Sequence, residues 1–402
     1  MKILEINSWV NGSTGKIMLM IAENARQKGH EAITVSPMNR VNKMGKSPNQ
    51  WLFGNKWVRY VSSTLAYWTG YIGCFSVVDT LLLLRKVRKY NPDIIHLHNI
   101  HPQYINLPIL FRYLKSSRSK VVWTLHDCWS FTGSCAYFSK VKCYKWKDGG
   151  CHDCPIYREY PWSRFDNAKK MFILKKKWFT GVKDMTIITP SQWLADCVKD
   201  SFLKEYDVKV IHNGIDINIF KPRGTNFLDK YNIRGKKVVL GVAFGWGVRK
   251  GLGDFIKLSQ LLSEVYQVVL VGTNDDVDKQ LPANIISIHH TESQLELAEI
   301  YAASAVFVNP TIEDNYPTTN LEALACGTPV ITYRTGGSPE AVTEETGAVV
   351  EQGDIEGLIK AIESFTAGDY ARVCRERAEK YIDSNIAYAS YLKLYKTLTG
   401  VR

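Results

Sequence analysis

Glu313-Asp314-Asn315-Tyr316-Pro317-Thr318-Thr319-Asn320-Leu321-Glu322 runs from a polar loop into an alanine-rich stretch that closes at Gly327-Thr328-Pro329-Val330. A helix starting near Pro317 exposes free backbone N–H groups and the positive end of its dipole, a combination that binds phosphate. Glu322, one turn on, can accept hydrogen bonds from a ribose diol. Taken alone, the stretch reads more simply as a capped helix with acids near its own N-terminus. Arg249 and Lys250 lie in the glycine-rich segment Gly241–Gly251. On composition alone they read as surface residues.

The first half carries histidines at two strand ends: His96 and His98 in Pro92-Asp93-Ile94-Ile95-His96-Leu97-His98-Asn99, and His126 in Thr124-Leu125-His126-Asp127. One such histidine reads as structural; two at successive strand ends suggest a site. Gly12-Ser13-Thr14-Gly15 offers backbone that a phosphate can approach closely. It is not a Walker loop, because the glycine spacing fails and Ile17 follows Lys16. Cys135, Cys143, Cys151 and Cys154, with His152 among them, end in a C-x2-C pair and suggest a structural zinc site. Four reduced thiols in a loop is the competing reading. Asp276-Val277-Asp278 spells an acid–x–acid triplet, but Asn274-Asp275 and Lys279 around it describe a solvated helix start.

These groups need rigid elements behind them. Strand-like runs at Ile3–Asn7, Ala32–Ser36, Asp93–His98, Lys120–Leu125, Met185–Thr189 and Val208–Ile211 alternate with helical patterns. A second series runs Lys237–Val242, Val268–Gly272, Ile285–His289, Ala305–Val308 and Pro329–Thr332, with helices near Phe255–Leu262, Leu295–Ala302, Asn320–Ala325 and Ile355–Phe365. The alternation predicts an α/β chain of two doubly wound parallel sheets, with ligands at the carboxyl ends of the strands. The expected division is 1–217, with the 385–402 helix packing back on it, and 218–384.

Composition narrows the function. The 402 residues are 45% hydrophobic and 22% charged, which excludes a largely disordered chain. Net charge is +12, but residues 1–200 hold 30 basic against 13 acidic groups, so the basic excess belongs to the first half. That half is expected to face something anionic. Nine cysteines, most in one cluster, argue against a secreted disulfide framework, and the N-terminus reads as a strand. A cytoplasmic enzyme is expected. Tyr60–Val78 carries no charge over 19 residues, yet its serines, threonines and glycines suit a buried or interfacial helical region better than a membrane span.

The ordered motifs resemble the retaining glycosyltransferases of family four, which have the GT-B fold of two Rossmann-like domains facing a cleft. The family pattern is a Glu, seven residues, then a Glu in an alanine-rich helix ending in Gly-x-Pro-Val. Counting back from Glu322 places Asp314 at the first acid, with Glu313 one residue away; either acid is a candidate to face the reacting carbon. Val210-Ile211-His212-Asn213-Gly214-Ile215-Asp216 and Phe220-Lys221-Pro222 resemble the family's crossing between domains, and Thr189-Pro190-Ser191 with Trp193 the strand end before it. Lys250 fits the family lysine, while Phe244 or a neighbour stands where an arginine is usual and Arg249 supplies charge.

The resemblance implies sugar transfer from a nucleotide-sugar donor to a saccharide or lipid-linked acceptor, with retention, in surface polysaccharide biosynthesis. His126, Asp314, Glu313, Lys250 and Arg249 would be catalytic. Gly12, Ser13, Thr14, Gly15, Phe244, Asn315, Tyr316, Pro317, Thr318, Thr319, Glu322 and His290 would hold the donor; His98, Asn99 and Asp127 the acceptor. Catalysis would need no cofactor, and zinc would be structural. Nucleic acid is not an expected partner. Lys86, Arg88, Lys89, Lys115, Arg118, Lys120, Lys169, Lys170, Lys175, Lys176 and Lys177, with Trp57, Tyr60, Tyr67, Trp68 and Tyr71, suggest peripheral contact with anionic membrane at its inner face. The rivals are a nucleotide-sugar epimerase of the same architecture and a non-enzymatic binder of anionic lipid or nucleic acid.

Overall fold

The computed structural model describes residues 1–44 and 48–401. The chain forms two compact units, residues 1–211 with 388–402 and residues 212–387. The division thus falls at 211 and 388, a few residues from the 217 and 385 read in the sequence.

In the first unit seven strands make one sheet: β1 (Lys2–Ile6), β2 (Glu31–Pro37), β3 (Gln50–Phe53), β4 (Ile94–Leu97), β5 (Lys120–Thr124), β6 (Met185–Thr189) and β7 (Asp207–Val210). Their order is β3-β2-β1-β4-β5-β6-β7. The second unit has β8 (Lys237–Val242), β9 (Tyr266–Val271), β10 (Ile285–Ile288), β11 (Val306–Asn309), β12 (Val330–Tyr333) and β13 (Gly347–Val350), ordered β10-β9-β8-β11-β12-β13. Every neighbouring pair is parallel. The central strands are short apolar runs buried on both faces, such as Val121-Val122-Trp123 and Val238-Val239-Leu240, because helices cover the sheets.

In each sheet the winding reverses next to the first strand of the series, between β1 and β4 and between β8 and β11. Crevices at such reversals, beyond the carboxyl ends of the strands, are where doubly wound folds bind ligands. The loops after β1, β4 and β5 carry Gly12, His98 and His126; those after β8 and β11 carry Lys250 and Asp314. Strands β3 and β13 escaped the sequence reading: both are edge strands of four residues, too short for a periodic pattern.

The uncharged stretch folds as the end of one helix, Lys56–Thr69, a turn capped by left-handed Gly70, and the start of a second, Val77–Tyr90. No helix among the described residues is long and apolar enough to cross a membrane. Much of this region is exposed rather than buried, with Trp57 at 71% and Tyr60 at 67%.

Candidate active site

In the first unit, parallel register sets Glu5 of β1 beside His96 of β4. Both are buried, as is His98 just beyond β4. His98 Nε2 stands 3.1 Å from Glu5 Oε2, and His98 Nδ1 stands 3.1 Å from His126 Nε2. Burial pushes Glu5 up, but hydrogen bonds from His96 and His98 outweigh it and hold the carboxyl below its ordinary value. A carboxylate partner requires the proton on His98 Nε2. Burial first, and the nearby His98, His96 and His101 next, hold His126 well below the ordinary histidine value. His126 is therefore neutral near pH 7.

His96 is locked differently. Its Nδ1 meets Tyr395 Oη at 2.6 Å and its Nε2 meets Thr124 Oγ1 at 2.7 Å. Burial, with the His98 charge, takes it down to about 4. Tyr395 Oη also lies 3.4 Å from Glu5 Oε1, so the C-terminal helix completes the shell around the carboxylate.

Beside this row, Gly12 opens the Gly12–Gln27 helix, which has no side-chain cap and no acid in its first turn. Ser13 and Thr14 follow, and Asn7 Nδ2–H donates to Thr14 Oγ1 at 3.4 Å. Gly15 backs onto the preceding chain so closely that a Cβ would stand 2.5 Å from the Val10 carbonyl carbon. Asn7 Oδ1 also accepts from the Asn99 N–H at 3.3 Å, tying the glycine loop to the end of β4. Asp127 Oδ1 caps the Trp129 N–H at 2.9 Å, while its Oδ2 lies 3.8 Å from His101 Nε2.

In the second unit, the short turn Val248–Lys250 presents both cations. Gly251 follows at φ 73° and packs on Pro310, where a Cβ would come within 2.5 Å of the Pro310 carbonyl oxygen. That close approach brings the turn to the loop after β11. Lys250 Nζ reaches Asp314 Oδ2 at 2.6 Å, with both side chains 17% exposed. Arg249 Nη1–H donates to the Glu313 carbonyl at 3.3 Å, and the Ile312 N–H to the Arg249 carbonyl at 3.0 Å. Asp314 thus pairs with Lys250, whereas Glu313 is buried.

The Thr318–Ala325 helix begins at Pro317 with no side-chain cap and no acid in its first turn. Thr318 and Thr319 form that turn, and Asn315 and Tyr316 before it are buried. Tyr316 stacks on His212 at 4.8 Å between ring centres, with 21° between the planes. A buried network fixes the helix start. Asn309 Nδ2–H donates to Asn320 Oδ1 at 2.7 Å, and Asn320 Nδ2–H donates to the Ser338 carbonyl and Oγ, both at 3.1 Å. Tyr301 Oη–H donates to Glu322 Oε2 at 3.1 Å and orients that carboxylate.

Phe244 is 100% exposed and His290 lies on the surface, 3.8 Å from Glu292. The geometry therefore gathers Arg249, Lys250, Asp314 and the 318 helix start into one group and leaves Phe244 and His290 outside its contacts. The Asp276-Val277-Asp278 triplet sits in a one-turn helix capped by Asn274, with Asp278 bound to His289 at 2.7 Å. Cys135, Cys143, Cys151 and Cys154 line one small cavity in the first unit. Lys175, read as a surface cation within a Lys-Lys-Lys run, is fully buried, with its ammonium on the Trp129 carbonyl and 3.8 Å from the Trp129 ring centre.

The sequence reading missed Glu5, Asn7, Tyr301, Asn320 and Ser338 as contributors. A carboxylate inside the apolar run Lys2-Ile3-Leu4-Glu5-Ile6 was a readable signal, since a buried charge in a parallel strand needs a partner.

Comparison with known proteins bears on the whole chain. WcaC of Escherichia coli, named for glycosyl transfer in colanic acid biosynthesis, is 25% identical over 283 residues, 68% of this chain and 67% of its own length. The N,N'-diacetylbacillosaminyl-diphospho-undecaprenol alpha-1,3-N-acetylgalactosaminyltransferase of Campylobacter jejuni is 26% identical over 218 residues, 50% of this chain and 57% of its own. Among solved structures, a glycosyltransferase from Rickettsia africae covers 100% of this chain and 99% of its own at TM-score 0.71 and 17% identity. HepE of Anabaena, solved with UDP, covers 99% of this chain and 100% of its own at TM-score 0.70 and 16% identity. Those two share the fold. The profile described as glycosyl transferases group 1 matches residues 236–367, the unit that holds Lys250 and Glu322. Because the Glycosyltransferase Family 4 profile matches residues 14–219, just over half of the sequence, the chain belongs to glycosyltransferase family 4.

Proposed function

We propose that the chain transfers a sugar from a nucleoside-diphosphate donor to a hydroxyl of a saccharide or lipid-linked acceptor, with the anomeric configuration retained. One observation carries the reading: at the β8/β11 reversal, Lys250, Arg249 and an uncapped helix start converge, with Glu322 one turn further along. Cations and the helix dipole neutralise a diphosphate, and a carboxylate held by Tyr301 suits a ribose diol.

In the reaction, the bond from C1 to the diphosphate oxygen breaks while a bond from C1 to the acceptor oxygen forms on the same face. The acceptor proton passes to the departing phosphate oxygen. Arg249 and Lys250 stabilise the charge that develops there. His126, neutral, hydrogen-bonds a sugar hydroxyl. HepE was solved with UDP, and the Campylobacter relative is named for a diphospho-undecaprenol substrate. Both support a nucleotide donor and a lipid-linked acceptor here.

The first unit supplies a surface suited to such an acceptor. Trp57, Tyr60, Tyr67 and Trp68 are exposed on one helix, Leu81 and Leu82 on the next, and Arg85, Lys86, Arg88 and Lys89 are exposed beyond them. Aromatic and apolar groups favour the interfacial zone, and each nearby cation adds about 1 kcal/mol on anionic lipid. Peripheral docking on anionic membrane follows. Co-sedimentation with anionic vesicles, lost at high salt and absent with neutral vesicles, is the expected result; no binding even at low salt would reject it.

The donor reading is tested by melting the protein with UDP, ADP, GDP and their sugars. One base series should raise the midpoint, since a ligand bound only to the folded state stabilises it. No shift with any of them at millimolar concentration would reject the reading.

A further inference from the structure

The connection from β5 to the next helix, Ala168–Phe179, is unusual. Links of this kind in doubly wound folds take a few residues. Here residues 125–167 intervene without helix or strand, and His126 and Asp127 stand near the start of that stretch. Part of the loop is held by aromatic packing, with Phe131 on Trp146 at 4.8 Å and Phe138 on Trp146 at 5.1 Å. Beyond Trp146, Tyr160 packs on His101 at 5.6 Å and on Trp162 at 5.4 Å, and Cys151 and Cys154 lie between these two groups of aromatics in sequence.

Cys135, Cys143, Cys151 and Cys154 face one cavity, together with Trp146, His152 and Ile156. Two of the sulfurs already accept backbone hydrogen bonds, Cys151 from Gly133 at 3.1 Å and Cys154 from Ile156, two residues on. Burial raises both thiols, and these N–H donors offset part of that by favouring the thiolate. The Trp146 indole N–H is buried without a hydrogen-bond partner at the same cavity. His152, with its Nδ1 3.1 Å from the Gly150 carbonyl, is exposed, whereas the four cysteines are buried or half-buried.

Charge points the same way. The fully buried Lys175 lies near Cys135, Cys151 and Asp127, and among the described residues its ammonium meets the Trp129 carbonyl and ring. A buried cation needs a nearby anion. Four thiolates on a divalent ion carry a formal charge of about −2, after four protons have been released.

We propose that Cys135, Cys143, Cys151 and Cys154 bind one zinc ion as a structural tetrathiolate that fixes the loop carrying His126 and Asp127. Among the described residues no three of the four sulfurs lie within 4.8 Å of one another, so metal binding would have to draw them inward. Zn–S bonds of about 2.3 Å set the sulfurs roughly 3.8 Å apart.

The test uses the full chain, purified under reducing conditions without added metal or chelator. Elemental analysis should find about one zinc per chain. Exchange with cobalt(II) should give the intense long-wavelength visible bands of a tetrahedral thiolate site. Cys151→Ser with Cys154→Ser should lose the metal, while Cys197→Ser, buried outside the cluster, should keep it. Should the double variant fail to fold, thiol reactivity in the unaltered protein decides. The four cysteines should resist Ellman's reagent until a chelator with mercurial releases zinc. Zinc below about 0.1 per chain with all four thiols reactive would overturn the proposal. So would a brown, iron-containing protein or a Cys151–Cys154 disulfide in the mass spectrum.

Discussion

Acid should unfold the first unit through His96 well before it reaches the carboxylates. In the folded chain His96 is fully buried, bound through both ring nitrogens to Tyr395 and Thr124, and held at about 4 by burial and the His98 charge. Unfolded, it titrates near 6.5. Between those values the unfolded state binds the extra proton, so stability rises with pH across this window and is lost as pH falls through it. Each unit of pH is worth about 1.4 kcal/mol per proton, so His96 alone removes about 3 kcal/mol between pH 6.5 and pH 4. His126, also held low by burial, acts in the same direction. Glu5, held below its ordinary value, loses its contribution only under about pH 4.3 and stays out of the window. His289, raised by Asp278, acts oppositely but is exposed. Ten of the eleven tryptophans precede residue 212, so tryptophan fluorescence follows this unit. Urea midpoints at pH 7, 6, 5 and 4.5 should fall steadily, and His96→Asn should flatten the slope by about one proton whatever its absolute stability. A midpoint unchanged from pH 7 to pH 4.5 in the unaltered protein would refute the reasoning.

Three further outcomes follow. Lys250→Ala should slow turnover at saturating donor by about 10²–10³, the cost of one preorganised charge stabiliser; near-normal turnover would assign that role to Arg249. Glu5→Gln should lower turnover by about tenfold or more, with donor KM little changed, because the charge-assisted bond that sets His98 and hence His126 is worth about 1.5–3 kcal/mol. A changed KM with unaltered turnover would remove the row from the chemical step. Asn320→Ala should destabilise by about 2–4 kcal/mol in urea, since it strips partners from buried Asn309 and Ser338. A loss under 1 kcal/mol would mean that water replaces those bonds.

What could be read from the sequence followed the length scale of each interaction. Strand–helix alternation is local, so both sheets and the motif loops were legible, and the Ile355–Phe365 helix was read to its ends. Edge strands β3 and β13 pair with one neighbour over four residues and leave too little periodicity to recognise. Lys175 was misplaced because a run of three lysines looks like a solvated face, whereas helical geometry turns the first of them inward. Glu5 meets His98 across 93 residues and Tyr395 across 390, contacts that exist only once the sheet is assembled. Spacing back from Glu322 put Asp314 ahead of Glu313, but not the partner of its side chain. Packing of Gly251 on Pro310 is what sets Lys250 against Asp314.

The central claim is that Glu322 and the helix start beside it hold a nucleoside diphosphate, and calorimetric titration tests it most directly. UDP, ADP and GDP are titrated in turn into the unaltered chain and into Glu322→Ala. The account predicts binding of at least one diphosphate, weakened by about 10–150-fold in the variant, the equivalent of about 1.5–3 kcal/mol for a charged acceptor lost from a diol. Equal affinity in both proteins, or no binding of any of the three, would contradict it.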